Sequence, residues 1–131
     1  MKVLGIVAEY NPFHNGHLYH IKQAKKISDF IIVIMSGNYV QRGEPAIINK
    51  YLRTRAALQN GIDLVLELPI YFATSSAEIF AYGAIKSLHA TGIIDAISFG
   101  CECDDITILT KISDMKNKFD IKKEMADGKS Y

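Results

Sequence analysis

The chain has 131 residues, 49% of them apolar and 22% charged, with a formal net charge of +1. That balance fits one soluble domain with its own core and excludes disorder, while a charge so near zero still leaves room for a local basic patch that binds nucleic acid. The most apolar run, Phe30 to Met35, is too short to cross a membrane, and Met1-Lys2 leads into a strand pattern with no small-residue cleavage site, so a cytoplasmic location is expected.

Val3, Leu4, Ile6, Val7 and Ala8 form a nearly continuous apolar run broken by Gly5, the pattern of a parallel strand buried on both faces. Asn11-Pro12 stops it, because proline lacks a ladder N–H and keeps the preceding residue out of the helical region. A helix opens at Asn15 or Gly16, with Leu18, Ile21, Ala24 and Ile27 as its apolar face and Lys22, Gln23, Lys25 and Lys26 toward water. His14 and His17 therefore sit at a helix N-terminus, where unpaired backbone N–H groups and a partial positive charge favour phosphate. Gly16 lets a ligand approach the backbone, and both rings can donate N–H bonds to phosphate oxygens. Spacing alone fits ordinary polar loop residues equally well. His14, His17 and His20 also recur every three residues, but zinc prefers cysteine or carboxylate partners, and Glu9, the nearest candidate, lies across a proline turn. No metal site is expected there.

Phe30 to Met35 reads as a second buried strand. Strand, helix, strand is a βαβ unit, which fixes a parallel sheet and turns the loops after Ala8 and after Met35 toward one cleft. Ser36 to Asn49 is polar, and its Arg42 carries a planar fork suited to phosphate or carboxylate, or simply to water. A helix from about Asn49 to Asn60 ends at Gly61. Its buried part is expected at Leu52, Ala56, Ala57 and Leu58, with Lys50 and Arg53 three apart on one face, positioned for phosphate, a nucleic-acid backbone or solvent.

Asp63 to Pro69 is a third strand, in which Glu67 needs a partner if buried. Tyr71 to Ser76 reads as a polar-aromatic loop. Phe80, Ala81, Ala84, Ile85 and Leu88 then recur as a core-facing stripe, and His89 lies at the surface before Gly92. Asp95 to Gly100 is a fourth strand whose glycine permits close approach. Asp104 or Asp105 caps a last amphipathic helix carrying Ile108, Leu109, Ile112 and Met115, and the remainder through Lys122, Lys123, Glu124 and Lys129 is mixed in charge. Cys101 and Cys103 flank Glu102, a spacing that would badly strain a mutual disulfide; both read as structural thiols. No repeat or linker marks a second domain, so one domain over 1–131 is expected.

His14-x-Gly16-His17 after a first strand resembles the signature of the HxGH nucleotidyltransferase superfamily, whose histidines contact the phosphates of ATP or CTP. The longer string EYNPFHNGHLYHI, followed by MSGNYVQRGEPAIINKYLRTRAAL and DLVLELP, closely resembles the N-terminal domain of the bacterial tRNA(Met) cytidine acetate ligase family, from Val3 to about Glu102. The resemblance implies an α/β fold with a Rossmann-like doubly wound parallel sheet of the HxGH nucleotidyltransferase type. It also implies ATP as cofactor with Mg2+ expected on its phosphates, and acetate and elongator tRNA(Met) as partners. His14 and His17 are the implied catalytic residues. Val7, Ala8, Glu9, Tyr10, Asn11, Pro12, Phe13, Gly16, His20 and Gly100 are the implied nucleotide contacts, and Arg42, Lys50 and Arg53 the substrate candidates.

The implied reaction activates acetate as acetyl-adenylate and passes the acetyl group to the wobble cytidine. Members of that family continue into a largely helical region, so the chain reads as an N-terminal piece without the later basic and asparagine positions that complete the nucleotide site. Lys22, Lys25, Lys26, Lys50, Arg53 and Arg55 are the residues available to track a tRNA backbone, with no aromatic stacking platform evident. The alternatives are a simple nucleotidyltransferase acting on a phosphorylated substrate, and a nucleotide- or tRNA-binding piece without turnover.

Overall fold

Four strands form where apolar runs predict them, and their order in the sheet explains how deeply each is buried. The computed structural model describes residues 1–101 and 105–118. The strands are β1 (Val3–Ala8), β2 (Phe30–Ser36), β3 (Leu64–Leu68) and β4 (Ala96–Ser98). They lie in the order β3-β2-β1-β4 with every neighbouring pair parallel. The helices are α1 (Asn15–Lys25), α2 (Lys50–Gln59), the short α3 (Ile70–Ala73), α4 (Ala77–Ala90) and α5 (Ile106–Lys118), with a 3₁₀ turn at Gln41–Gly43.

Alternate side chains of a strand point to opposite faces, and both faces of this sheet are covered. Leu4, Ile6, Ile31, Val33 and Met35 pack with Ile21 and Ala24 of α1 and Ala57 of α2. On the other face Val3, Ile32, Ile34 and Leu68 pack with Ala73 of α3 and with Ala84 and Leu88 of α4. Each large aliphatic side chain fully buried in these layers stabilises the fold by about 1.5–3 kcal/mol. The sheet is thus parallel and doubly wound, as expected, and its order reverses at β1, which has β2 on one side and β4 on the other. Crevices at the carboxyl ends of such sheets are where ligands bind.

The departures follow from position. β3 is an edge strand, so Leu64 is exposed, and Glu67 has a side chain 51% exposed that pairs with Lys50. Ile27 falls beyond the end of α1 and faces solvent. On α2 the inward face is Arg53 and Ala57, one turn apart, which leaves Leu52 and Leu58 exposed. The stretch read as a loop from Tyr71 contains α3, which turns Phe72 into the second layer.

That turn dictates which face α4 buries. It is Gly83, Ala84 and Leu88, whereas Ala81 and Ile85 of the expected stripe face out. Phe72 occupies the space a Cβ on Gly83 would need. Gly83→Ala is expected to destabilise the protein by about 1–2 kcal/mol, because overpacking outweighs the alanine's better helix propensity. Urea unfolding measures it, and an unchanged midpoint would refute the packing argument.

Two compact units divide the chain, Met1–Phe99 and Gly100–Tyr131. In the second, Asp105 precedes α5 and its Oδ1 accepts from the Thr107 backbone N–H at 2.8 Å, the capping role expected of it. Glu102, Cys103 and Asp104, and the charged segment from Lys122, lie outside the described residues. Among the described residues no helix is long and apolar enough to cross a membrane.

Candidate active site

The cleft opens where β1 and β2 part. Their last paired residues are Ala8 and Met35; beyond them the two chain segments diverge around a cavity of about 650 Å³. One wall is Val7, Ala8, Glu9, Tyr10, Asn11, Pro12, His14 and His17; the other is Val40, Gln41, Arg42 and Glu44, with Phe80 of α4. The two loops expected to share a cleft do share it.

The first wall is a buttressed turn. Tyr10 has φ 48° and the Asn11-Pro12 bond is cis. The Tyr10 side chain is buried, which pushes its hydroxyl up to about 12, so at neutral pH it carries no charge. Its ring meets Phe13 edge-on at 5.0 Å and His17 at 4.8 Å. A non-glycine residue in this left-handed region costs about 1–3 kcal/mol, and this packing is what holds it.

Helix α1 begins at the histidines, and they cap it themselves. His14 is the N-cap; its Nδ1 accepts from the Gly16 backbone N–H at 3.1 Å, and Nδ1 of His17 accepts from the His14 backbone N–H at 3.2 Å. The arrangement is a capping box built from two imidazoles. A ring that accepts at Nδ1 carries its proton on Nε2 when neutral, so both rings have an Nε2–H donor to offer. They stack at 3.6 Å. A Cβ at position 16 would stand 3.0 Å from Cε1 of His14, so glycine is what lets that ring lie over the first turn.

Burial, together with the neighbouring His14 and His20, holds His17 below its ordinary pKa, and burial does the same for His20. Between the ordinary and the lowered value the unfolded chain binds more protons than the folded one, so stability rises with pH through that window and is lost as pH falls. The midpoint of thermal unfolding is expected to drop as pH falls from about 7 to 5, with a shallower dependence in His17→Ala. An equally steep dependence in that variant would refute the linkage.

The other expected site residues divide. Glu9 and Asn11 line the cleft, but their side chains hold the second wall: Oε1 of Glu9 accepts from the Gln41 N–H at 2.8 Å and Oδ1 of Asn11 from the Ile47 N–H at 2.8 Å. Phe13 packs behind His17. Arg42 reaches the cleft from a backbone at φ 66° followed by Gly43 at φ 83°. His20 instead bridges α1 and β4, with Nε2 2.8 Å from Oγ of Ser98, and does not line the cavity. Gly100 opens the second unit.

Lys50 and Arg53 do not share an open face. Lys50 Nζ donates to both oxygens of Glu67, at 2.7 and 2.9 Å, and that hydrogen bond raises its pKa. It lines a separate hollow with Tyr51, Thr54 and Glu67. Arg53 is 1% exposed, and its expectation as a phosphate or tRNA contact is corrected: four backbone carbonyls, of Glu9, Ser36, Gly37 and Ile48, accept from its guanidinium. Desolvation lowers its pKa, opposed by Glu9 and Glu67.

Sequence reading missed Val40, Gln41, Glu44 and Phe80 as lining residues. The polar run around Arg42 signalled the loop, whereas Phe80 fits a core stripe equally well. Among the described residues no group of three or more His, Cys, Asp or Glu side chains forms a metal site.

A family model described as HIGH Nucleotidyl Transferase matches residues 1–131. The chain is 58% identical over 117 residues to tRNA(Met) cytidine acetate ligase of Thermoanaerobacter sp. (strain X514), covering 88% of this chain and 29% of that protein. It is 52% identical over 139 residues to the protein of the same name from Acetivibrio thermocellus, covering all of this chain and 34% of that one. The chain thus spans about a third of the length of the curated relatives it matches. The crystal structure of Thermotoga maritima TmcAL bound with alpha-thio ATP superposes with TM-score 0.86 and 47% identity, over 99% of this chain and 34% of that one. A bifunctional NMN adenylyltransferase/ADP ribose pyrophosphatase from Francisella tularensis matches at TM-score 0.50 and 22% identity over 73% of this chain and 31% of that one, a likeness of fold alone.

Proposed function

Since this chain belongs to the HIGH nucleotidyl transferase family, we propose that it forms the ATP-binding, adenylate-forming part of a tRNA(Met) cytidine acetate ligase. The observation that carries the reading is the self-capped pair, His14 and His17, with its Nε2–H donors beside a helix N-terminus in a cleft of about 650 Å³. The relatives' names and the ATP analogue in the Thermotoga maritima structure support the choice of substrates.

In this reaction an acetate oxygen attacks the α-phosphorus of ATP, the bond to the bridging oxygen breaks, and pyrophosphate leaves. Negative charge grows on the phosphate oxygens, and donors already aimed at such charge lower the barrier by roughly 2.7–4 kcal/mol each. His14 and His17 take that role, with Nδ1 of each engaged in its cap and Nε2 turned to the ligand. Tyr10, Phe13 and Gly16 hold the rings. Val7, Ala8, Glu9, Asn11 and Pro12 form the wall against the nucleotide. Arg42 is the proposed substrate arm, since its guanidinium has no partner among the described residues.

The N4 amine of the wobble cytidine of elongator tRNA(Met) then attacks the acetyl carbon, AMP leaves and the amine loses a proton. Mg2+ would arrive on the nucleotide's phosphates. Lys22 and Arg55 are free to meet tRNA, whereas Lys25 pairs with Asp63, Lys26 bonds Gln23 and Lys50 pairs with Glu67. A cytoplasmic location belongs to the same reading.

Exchange of labelled pyrophosphate into ATP tests it. Exchange that requires acetate and disappears in His17→Ala is expected. Exchange with a phosphorylated substrate in place of acetate would make the protein a simple nucleotidyltransferase, and ATP binding with no exchange under any acceptor would leave it a binding module.

A further inference from the structure

We propose that Arg53 is a positioning residue of the nucleotide cleft, which holds the parted ends of β1 and β2 at a fixed separation; the inference rests on that cleft being the ATP site. β1 and β2 are paired as far as Ala8 and Met35. The next residues on the two strands are Glu9 and Ser36, and one nitrogen, Nη1 of Arg53, donates to both of their carbonyls, at 2.6 and 3.0 Å. The guanidinium therefore sits in the fork where the ladder ends. Nη2 donates to the carbonyl of Gly37, and Nε to that of Ile48 at 2.8 Å.

The tied segments are the two walls themselves. Glu9 lies on the histidine wall, and its carboxylate grips the N–H of Gln41 on the other. Arg42 follows directly. Ser36 and Gly37 begin the segment that runs to Gln41, and Ile48 ends it before α2. One planar group thus joins the start of the first wall to both ends of the second, and Arg42 is carried on the stretch between.

The choice of residue supports the assignment. A guanidinium has five donors in a rigid fork, whereas an ammonium presents three from a single point. Acceptors on three separate segments suit the first and not the second. All four are neutral carbonyls, so partnering a carboxylate is not what places this buried cation here. The requirement it meets is a span.

The test compares the native-length protein with Arg53→Lys and Arg53→Ala, reading amide hydrogen exchange of Gln41 and the Kd for ATP. Folded Arg53→Lys is expected to exchange Gln41 faster, to leave Leu88 amide exchange in α4 unchanged, and to bind ATP at least about tenfold more weakly. Millimolar guanidinium is expected to restore ATP affinity to Arg53→Ala, and ammonium is not. A folded Arg53→Lys with the unmodified Kd overturns the proposal, whatever the exchange shows. If Arg53→Lys does not fold, Arg53→Ala with guanidinium decides: recovery of the fold without ATP affinity overturns it. An unmodified protein that fails to bind ATP would sink the nucleotide reading instead, and unaltered Gln41 exchange in the folded variant would then sink the positioning role by itself.

Discussion

His17→Ala is expected to lower acetate-dependent pyrophosphate exchange by roughly 10²–10³ while costing the fold only about 1 kcal/mol. The two numbers differ because the ring does two things through two atoms. Nδ1 accepts the His14 backbone N–H, a cap like any other; Nε2 keeps the proton available for a phosphate oxygen. At His14 the functions separate by substitution. Asparagine is among the best N-cap residues, so His14→Asn is expected to retain the stability of the unmodified protein and to lose exchange as His14→Ala does. Thermal unfolding and exchange on the same three preparations check this. If His14→Asn were as active as the unmodified protein, His14 would be a cap and nothing more.

Arg53→Ala has the largest expected effect on stability, a loss of about 3–5 kcal/mol, because it strands up to four carbonyls in or near the core and each unsatisfied buried acceptor costs about 1 kcal/mol or more. For a domain with a total stability of about 5–15 kcal/mol that is a large fraction. Denaturant unfolding measures it. A loss below about 1 kcal/mol would mean that water replaces the guanidinium without difficulty, and that the fork between the strands needs no tie.

What the sequence shows and hides here has a physical division. β1, α1 and β2 are legible because each buries an apolar set with its own period, and the histidine turn is legible because a proline precedes it and a helix follows it. Arg53 is not. A helix period predicts which positions share a face, and Lys50 stands one turn before Arg53, so both read as solvent-facing. The acceptors that reverse this are backbone carbonyls of Glu9, Ser36, Gly37 and Ile48, and carbonyls leave no trace in residue identity. Phe72 and Gly83 are hidden for a related reason: glycine interrupts the stripe, and only the ring lying against it shows that the interruption is the contact. The exposure of Leu64 and Glu67 is hidden as well, because strand order, which makes β3 an edge, is not written in β3 itself.

The self-capped turn also accounts for the form of the motif at its centre. His14 and His17 are each fixed twice, once by the backbone N–H its ring accepts and once by the other ring stacked on it. Position 16 is tied to the imidazole above it, since a Cβ there would stand 3.0 Å from the ring. Asn15 is exposed, and only its backbone belongs to the turn. Three of the four letters in His-x-Gly-His are thus contacts with one another before they are contacts with any ligand, and the second position is free to drift.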